Sequence, residues 1–171
     1  GDLARRASAH ARLFRRQGLR QGDAVVLLAH SVPGFVAAFL GAQEAGLLAV
    51  PCPPPEPLES ARRVGQRVTE ILVRCRARAL LSPAPVEVEL GPALAHAGIA
   101  VLASPEPGDT DPAGSAGESA DRFPLAYCQF TSGSGGRAKG VLLTHESVAA
   151  NIRAMAEVYR FSSDDVKVTW L

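Results

Sequence analysis

The stretch TSGSGGRAKG, residues 131–140, holds the residue types best suited to chemistry in this chain. It gathers three hydroxyls (Thr131, Ser132, Ser134), four glycines (Gly133, Gly135, Gly136, Gly140) and Lys139. Glycine lets the backbone turn tightly and brings its N–H groups against a ligand. Successive N–H groups in such a turn form an anion-binding concavity, and hydroxyls add donors of their own. A lysine supplies a compact positive charge on a flexible stem. A polyphosphate is the natural guest. The spacing differs from the P-loop of nucleotide hydrolases, because Lys139 follows Ala138 and precedes Gly140. It differs also from the dinucleotide fingerprint, whose helix opens on the glycines. Composition alone also allows a Gly/Ser hairpin loop with no ligand. The apolar runs on either side, 125–130 and 141–143, favour the phosphate reading.

Other candidates are weaker. His145 follows Thr144 at a predicted helix start, where it either borders a nucleotide site or serves the fold. His10, His30 and His96 have no His, Cys or Asp at ligand spacing and read as surface or packing residues, so no metal site is expected. Cys52, Cys75 and Cys128 are odd in number and far apart, which fits neither a disulfide framework nor a zinc knuckle and makes a reducing, cytoplasmic setting the default. Cys128 reads as a small buried hydrophobe. No Ser-His-acid set can be argued from spacing. The arginines of one helix and its exit (Arg62, Arg63, Arg67, Arg74, Arg76, Arg78) read as a solvated face rather than an RNA or carrier-protein contact. With two lysines against sixteen arginines, Lys139 stands out, although the bias itself looks compositional.

The elements that must position this loop follow from periodicity. Residues 3–17 put Leu3, Ala7, Ala11 and Phe14 on one helical face, closed by Gly18. Residues 24–29 (AVVLLA) form a continuous apolar run, the mark of a strand buried on both faces. Pro33 and Gly34 open a second helix with Phe35, Val36, Phe39 and Leu40 as its apolar face, and 47–50 is a second strand. PCPPPEP, residues 51–57, predicts a stiff extended connector. A helix over 58–75 carries Val64, Val68, Ile71 and Leu72 inward. Residues 79–81 and 99–102 read as buried strands, 86–90 as an edge strand and 91–97 as a short helix. Residues 104–121, rich in Pro, Gly, Ser and acid, predict a mobile internal loop. The strand 125–130 leads into the glycine-rich stretch. Beyond it, Thr144 caps a helix running to about Arg160, with Val148, Ile152, Met155 and Val158 inward. Helices alternating with buried strands predict an α/β fold with a largely parallel sheet flanked by helices.

A length of 171 residues suits one compact domain rather than two. The net charge of +1 gives no electrostatic footprint for nucleic acid or an anionic membrane. No apolar run is long enough to span a bilayer. The sequence has no initiator Met, and Val168, Thr169, Trp170 and Leu171 read as the entry to a strand, so a piece of a longer chain is expected.

The run AYCQFTSGSGGRAKGVLLTHESVAANI, residues 126–152, resembles the signature of the adenylate-forming (AMP-binding, acyl-activating) enzymes. These include acyl-CoA synthetases, luciferases and peptide-synthetase adenylation domains. Their usual pattern is Tyr/Phe-Thr-Ser-Gly-Ser/Thr-Thr-Gly-x-Pro-Lys-Gly-Val, then a Thr-His pair and a helix containing Asn. Phe130, Thr131, Ser132, Gly133, Ser134, Gly136, Lys139, Gly140, Val141, Thr144, His145 and Asn151 match it. Residues 22–55 resemble the early strand, helix and Pro-rich region, so the resemblance covers nearly the whole chain. Three features look most like fatty acyl-AMP ligases: the prolines of 51–55, the Gln129-Phe130-Thr131 lead and the Val168–Leu171 ending. Two departures stand out, Gly135 in place of the usual Thr and Ala138 in place of the usual Pro. The first loses a hydroxyl and the second loosens the loop before Lys139.

The resemblance implies the first part of a large N-terminal adenylation domain, residues 1–171. It implies a two-step reaction in which a fatty acid attacks the α-phosphate of Mg2+-bound ATP, giving acyl-AMP and pyrophosphate. The acyl group then passes to the phosphopantetheine thiol of an acyl carrier protein, as in a polyketide synthase loading module. On this resemblance Thr131, Ser132, Gly133, Ser134, Gly135, Gly136, Lys139 and Gly140 bind the ATP phosphates, with Lys139 as the catalytic counter-charge and His145 at the border of the site. The magnesium-binding acid, the adenine and acyl pockets and a C-terminal catalytic lysine are expected in the remainder of the adenylation domain, leaving these residues inactive by themselves. A fatty acyl-CoA synthetase is the alternative within the family. A non-catalytic scaffold derived from the fold is the alternative outside it.

Overall fold

A computed structural model describes residues 1–28, 32–55, 58–82, 94–105, 123–131, 139–162 and 164–166. Helix α1 (Asp2–Arg16) buries Ala7, His10, Ala11 and Phe14, with His10 rather than the expected Leu3 on the inner face. Gly18, in the left-handed region at φ +76°, turns the chain toward β1 (Ala24–Leu28), every residue of which is buried. Helix α2 (Val32–Glu44) follows, then β2 (Leu48–Cys52). Helix α3 (Ala61–Arg74) precedes the short strands β3 (Ala79–Leu81) and β4 (Ala100–Leu102). Strands β5 (Leu125–Thr131) and β6 (Lys139–Thr144) lead into helix α4 (His145–Tyr159).

The six strands make one sheet in the order β4-β3-β1-β2-β5-β6. All neighbouring pairs are parallel except β5 and β6. Alternation along the strands sends side chains into two cores. Val26, Leu28, Val50, Leu80 and Cys128 pack beneath Val64, Val68, Ile71 and Leu72 of α3. Val25, Leu27, Ala49, Ala79 and Leu81 pack beneath Phe14 of α1 and Ala38 and Ala42 of α2. A sheet covered on both faces needs both sides apolar, which is why β1 reads AVVLL without alternation.

Further differences from the sequence reading lie in α2, β2 and α3. The buried face of α2 is Ala37, Ala38 and Ala42, whereas Phe35, Val36 and Phe39 are half-buried and Leu40 is exposed. The cause is the close approach of α1. A Cβ on Gly41 would lie 2.6 Å from the Ala7 carbonyl oxygen and from His10 Cβ, so only small residues fit the seam. Phe39 instead meets Tyr127 of β5 edge-on, ring centroids 5.7 Å apart. The extended connector begins two residues later than expected, because Pro51 and Cys52 pair with Leu27 and Leu28 within β2. Proline is confined to sheet positions that need no ladder donor, and pairing of β2 with β5 is recorded only at Ala49 and Tyr127. Helix α3 begins at Ala61 rather than 58, since the Ser60 hydroxyl accepts a hydrogen bond from the Arg63 N–H and caps it.

The largest correction concerns α4. Its apolar stripe was expected to face inward, yet Ile152 is 60% exposed, Val158 76% and Met155 41%, and no residue of the helix is fully buried. The periodicity marks an apolar face correctly. Periodicity cannot say what covers it, and nothing among the described residues does. The expected edge strand 86–90 and mobile loop 104–121 fall wholly or largely outside the described residues, as does most of the helix at 91–97, of which 94–96 are helical. No helix among the described residues is long and apolar enough to cross a membrane.

His10 gives this packing a pH dependence. Its Nδ1–H donates to the Arg6 carbonyl at 2.8 Å, which leaves Nε2 buried with no partner among the described residues. Burial first, with the neighbouring Arg6 charge adding to it, lowers its pKa below the ordinary 6.5, against the opposing effect of the Arg6 carbonyl hydrogen bond. The folded state therefore holds its proton less tightly than the unfolded chain. The resulting stability is complete above pH 6.5 and declines as pH falls through 6.5 toward the depressed folded value. Urea unfolding between pH 7.5 and 5 should show this decline, and His10→Gln should flatten it. An identical pH profile in the variant would remove His10 as its source.

Candidate functional site

The stretch singled out in the sequence joins β5 to β6, which pair in antiparallel register. Its base is well defined. Thr131 stands opposite Lys139 and Phe130 opposite Gly140 in antiparallel register. Thr131 ends β5 and Lys139 begins β6, so both belong to strands rather than to the turn itself. Directly opposed residues on an antiparallel pair project from the same face, which places the Thr131 hydroxyl and the Lys139 ammonium side by side, both exposed. Ser132, Gly133, Ser134, Gly135 and Gly136 lie outside the described residues.

Gly140 has a requirement that its spacing did not reveal. A Cβ there would sit 3.0 Å from Cys128 Sγ and 3.2 Å from Phe130 Cζ, so the glycine lets β6 lie flat against its cross-strand neighbours. Gly140→Ala should destabilise the fold by about 1–2 kcal/mol through overpacking. Cys128→Ala in the same chain should recover part of that loss, because the two sites share one contact. Urea midpoints of the single and double variants measure both effects. Strictly additive losses would refute the contact.

Beyond the hairpin the chain passes directly into α4. The Thr144 hydroxyl accepts from the Ser147 N–H at 3.0 Å and the Ser147 hydroxyl accepts from the Thr144 N–H at 3.1 Å, a reciprocal cap that fixes where the helix begins. The backbone N–H of His145 donates to the Pro124 carbonyl at 3.1 Å, tying the helix start to the entry of β5. The ring of His145 is exposed.

None of the cysteines offers a nucleophile. Burial pushes the thiols of Cys52 and Cys75 up to about 11 and raises that of Cys128, so all three stay protonated at neutral pH. Arg67 was read as one arginine of a solvated face. Instead its Nη2 lies 3.0 Å from the Glu59 carboxylate and donates to the Pro53 carbonyl at 3.3 Å. No helical spacing links Glu59 to Arg67, because Glu59 precedes the Ser60 cap.

The profile of the AMP-binding enzyme family matches residues 1–171. The chain belongs to the AMP-binding enzyme family. Among curated relatives, a putative acyl-CoA synthetase of Caulobacter vibrioides is 32% identical over 166 residues, covering 94% of this chain and 28% of the relative. The medium-chain-fatty-acid–[acyl-carrier-protein] ligase JamA of Moorena producens is 28% identical, covering 99% of this chain and 29% of the relative. A fatty acyl-adenylate ligase of L. pneumophila, solved in complex with acyl adenylate and pyrophosphate, superposes with a TM-score of 0.74 at 25% identity. It covers 94% of this chain and 27% of that one. This AMP-binding enzyme chain thus spans under a third of the length of the relatives it matches. Its mixed sheet is the one expected of the N-terminal domain of an adenylate-forming enzyme.

Proposed function

We propose that this chain is the phosphate-binding portion of an acyl-activating ligase. The enzyme adenylates a fatty acid with ATP and passes the acyl group to the phosphopantetheine thiol of an acyl carrier protein. The observation that carries the reading is the rung formed by Thr131 and Lys139 at the base of the glycine-rich turn, within a chain matched along its length by the AMP-binding family. Strand β5 ends, and antiparallel β6 begins, at the edge where open α/β sheets take their ligands, beyond the carboxyl ends of parallel strands.

In the first step a carboxylate oxygen attacks the α-phosphorus of ATP and pyrophosphate leaves. Such chemistry depends on positioning and on neutralising charge. Lys139 supplies positive charge to the β- and γ-phosphates. The hydroxyls of Thr131, Ser132 and Ser134 donate to phosphate oxygens, as do the N–H groups of Gly133, Gly135, Gly136 and Gly140. His145 borders the nucleotide. Mg2+ would add further charge neutralisation when bound. On this reading the magnesium ligand lies in the remainder of the adenylation domain. The exposed apolar face of α4 is where that remainder packs, which makes the isolated chain inactive.

JamA, a carrier-protein ligase by name, supports the carrier protein as acceptor, and the Caulobacter relative supports a second reading, a fatty acyl-CoA synthetase. Pyrophosphate release by the full-length enzyme across a panel of carboxylic acids, with and without CoA, separates them. Release with fatty acids and no acyl-CoA product supports the ligase reading. Acyl-CoA formation moves the enzyme to the synthetase branch. A folded protein that releases pyrophosphate with no acid refutes both.

A further inference from the structure

The strand that carries Thr131 is not regular. Its pairing with β6 steps from Leu125 opposite Thr144 to Tyr127 opposite Leu143, which makes Ala126 an extra residue with no counterpart on β6. That is a β-bulge. Alternation along a regular strand would send Leu125 and Tyr127 to the same face. They go to opposite faces instead, Leu125 to the core beneath α3 and Tyr127 to the core beneath α1 and α2. Beyond the bulge alternation resumes. Cys128 and Phe130 join the α3 side, which leaves Tyr127, Gln129 and Thr131 on the other. Lys139, opposite Thr131, shares its face. The bulge at Ala126 therefore decides on which face of the sheet Thr131 and Lys139 stand, since a shift of one residue would reverse them.

A bulge takes backbone groups out of the ladder, and a buried one must find another partner. Ala126 is buried, and its carbonyl accepts a hydrogen bond from Nε2 of Gln43, in the last turn of α2 and 83 positions earlier in the chain. One turn back on the same helix, Phe39 meets Tyr127 edge-on. Helix α2 thus grips the two consecutive residues at which β5 changes face. The recorded pair between β2 and β5, Ala49 with Tyr127, lies past the bulge and not at it. Gln43 Oε1 is buried with no partner among the described residues. Packing alone would favour an apolar side chain there, because an unpaired buried acceptor is unfavourable. The carbonyl of Ala126 accounts for the amide.

We propose that Gln43 is a positioning residue for the phosphate site. By holding the Ala126 carbonyl it fixes the bulge in β5, and with it the face on which Thr131 and Lys139 meet ATP. The inference rests on the proposed acyl-activating function. Its test uses the full-length enzyme, comparing the wild type with Gln43→Met, which keeps the length of the side chain and loses the donor, by ATP–pyrophosphate exchange. Gln43→Met should raise KM for ATP about tenfold with kcat within about twofold, the signature of misplaced binding groups rather than of lost folded enzyme. In a Lys139→Ala background the same change should raise KM by about threefold or less, because one of the groups it places is gone. Amide exchange over 125–131 should quicken in Gln43→Met while that of β1 stays as in the wild type. Should that variant fail to fold, Gln43→Asn, whose amide is one methylene short of the carbonyl, carries the same KM criterion. A folded variant with wild-type KM for ATP, a loss confined to kcat, or an undiminished rise in the Lys139→Ala background overturns the role of Gln43 and leaves the proposed function standing. So does unchanged amide exchange over 125–131. A wild-type enzyme without exchange activity overturns both.

Discussion

Replacing Lys139 by alanine in the full-length enzyme should lower kcat/KM for ATP by about a hundredfold, the scale on which removal of one preorganised charge acts in a polar-transfer site. The argument starts from position. Lys139 is exposed and opposes Thr131 at the last rung of a strand pair, so its ammonium is presented where the glycine-rich turn departs. It is not part of either core, and its removal should change stability by less than about 0.5 kcal/mol. Loss of activity in a protein with an unchanged urea midpoint therefore reports chemistry rather than folding. Lys139→Arg keeps the charge but replaces a compact ammonium with a broad planar fork, and should fall between wild type and alanine. Equal activity in wild type and Lys139→Ala would remove this residue from the phosphate site, whatever the fate of the family assignment.

The largest effect on the fold is expected at Gly41. Its backbone lies against α1 so closely that a methyl group would overlap the Ala7 carbonyl oxygen and His10 Cβ, each 2.6 Å from the Cβ position. The obstacle is partly backbone, which cannot rotate aside. Gly41→Ala gains up to about 1 kcal/mol of helix propensity yet should still lose stability, because overpacking costs about 1–3 kcal/mol. Gly41→Leu cannot be accommodated without moving α1 off the sheet, uncovering Phe14. A loss of more than about 3 kcal/mol is expected, a large share of the stability of a domain this size. Urea denaturation gives the number directly. An alanine variant as stable as the wild type would show that α1 and α2 can part at little cost.

Much of the architecture was legible because it is written locally. The unbroken apolar run of β1, the Ser60 and Thr144 caps and the spacing of Val64, Val68, Ile71 and Leu72 each report a physical need met within a few residues. The candidate stretch was conspicuous in the sequence for its glycines, hydroxyls and lysine, and the strand register adds that Thr131 and Lys139 stand opposite each other at its two ends. What escaped the sequence depends on partners distant along the chain. Gly41 looks like any helical glycine until α1 is laid across it. Gly140 looks like a loop glycine until Cys128 and Phe130 are set beneath it. Pro51 reads as a breaker until the sheet shows a ladder position that needs no donor. Arg67 reads as solvated until Glu59 folds back over it. The face of α4 was recognised as apolar, yet no described residue covers it, because a period of 3.6 fixes which residues lie together and not what they touch.

The strand order also governs how this chain assembles. Strands β1, β2 and β3 meet after closing loops of a few tens of residues, whereas β2 reaches β5 only across about eighty, at a greater entropic cost. The hairpin that carries Thr131 and Lys139 is thus the last part of the sheet to be recruited, an order that pulsed hydrogen exchange during refolding reads as late protection of β5. Until it docks, β2 presents an unpaired edge, which is an invitation to pair with another chain. Refolding yield should therefore be limited by the wait for β5, with misassembly growing as protein concentration rises.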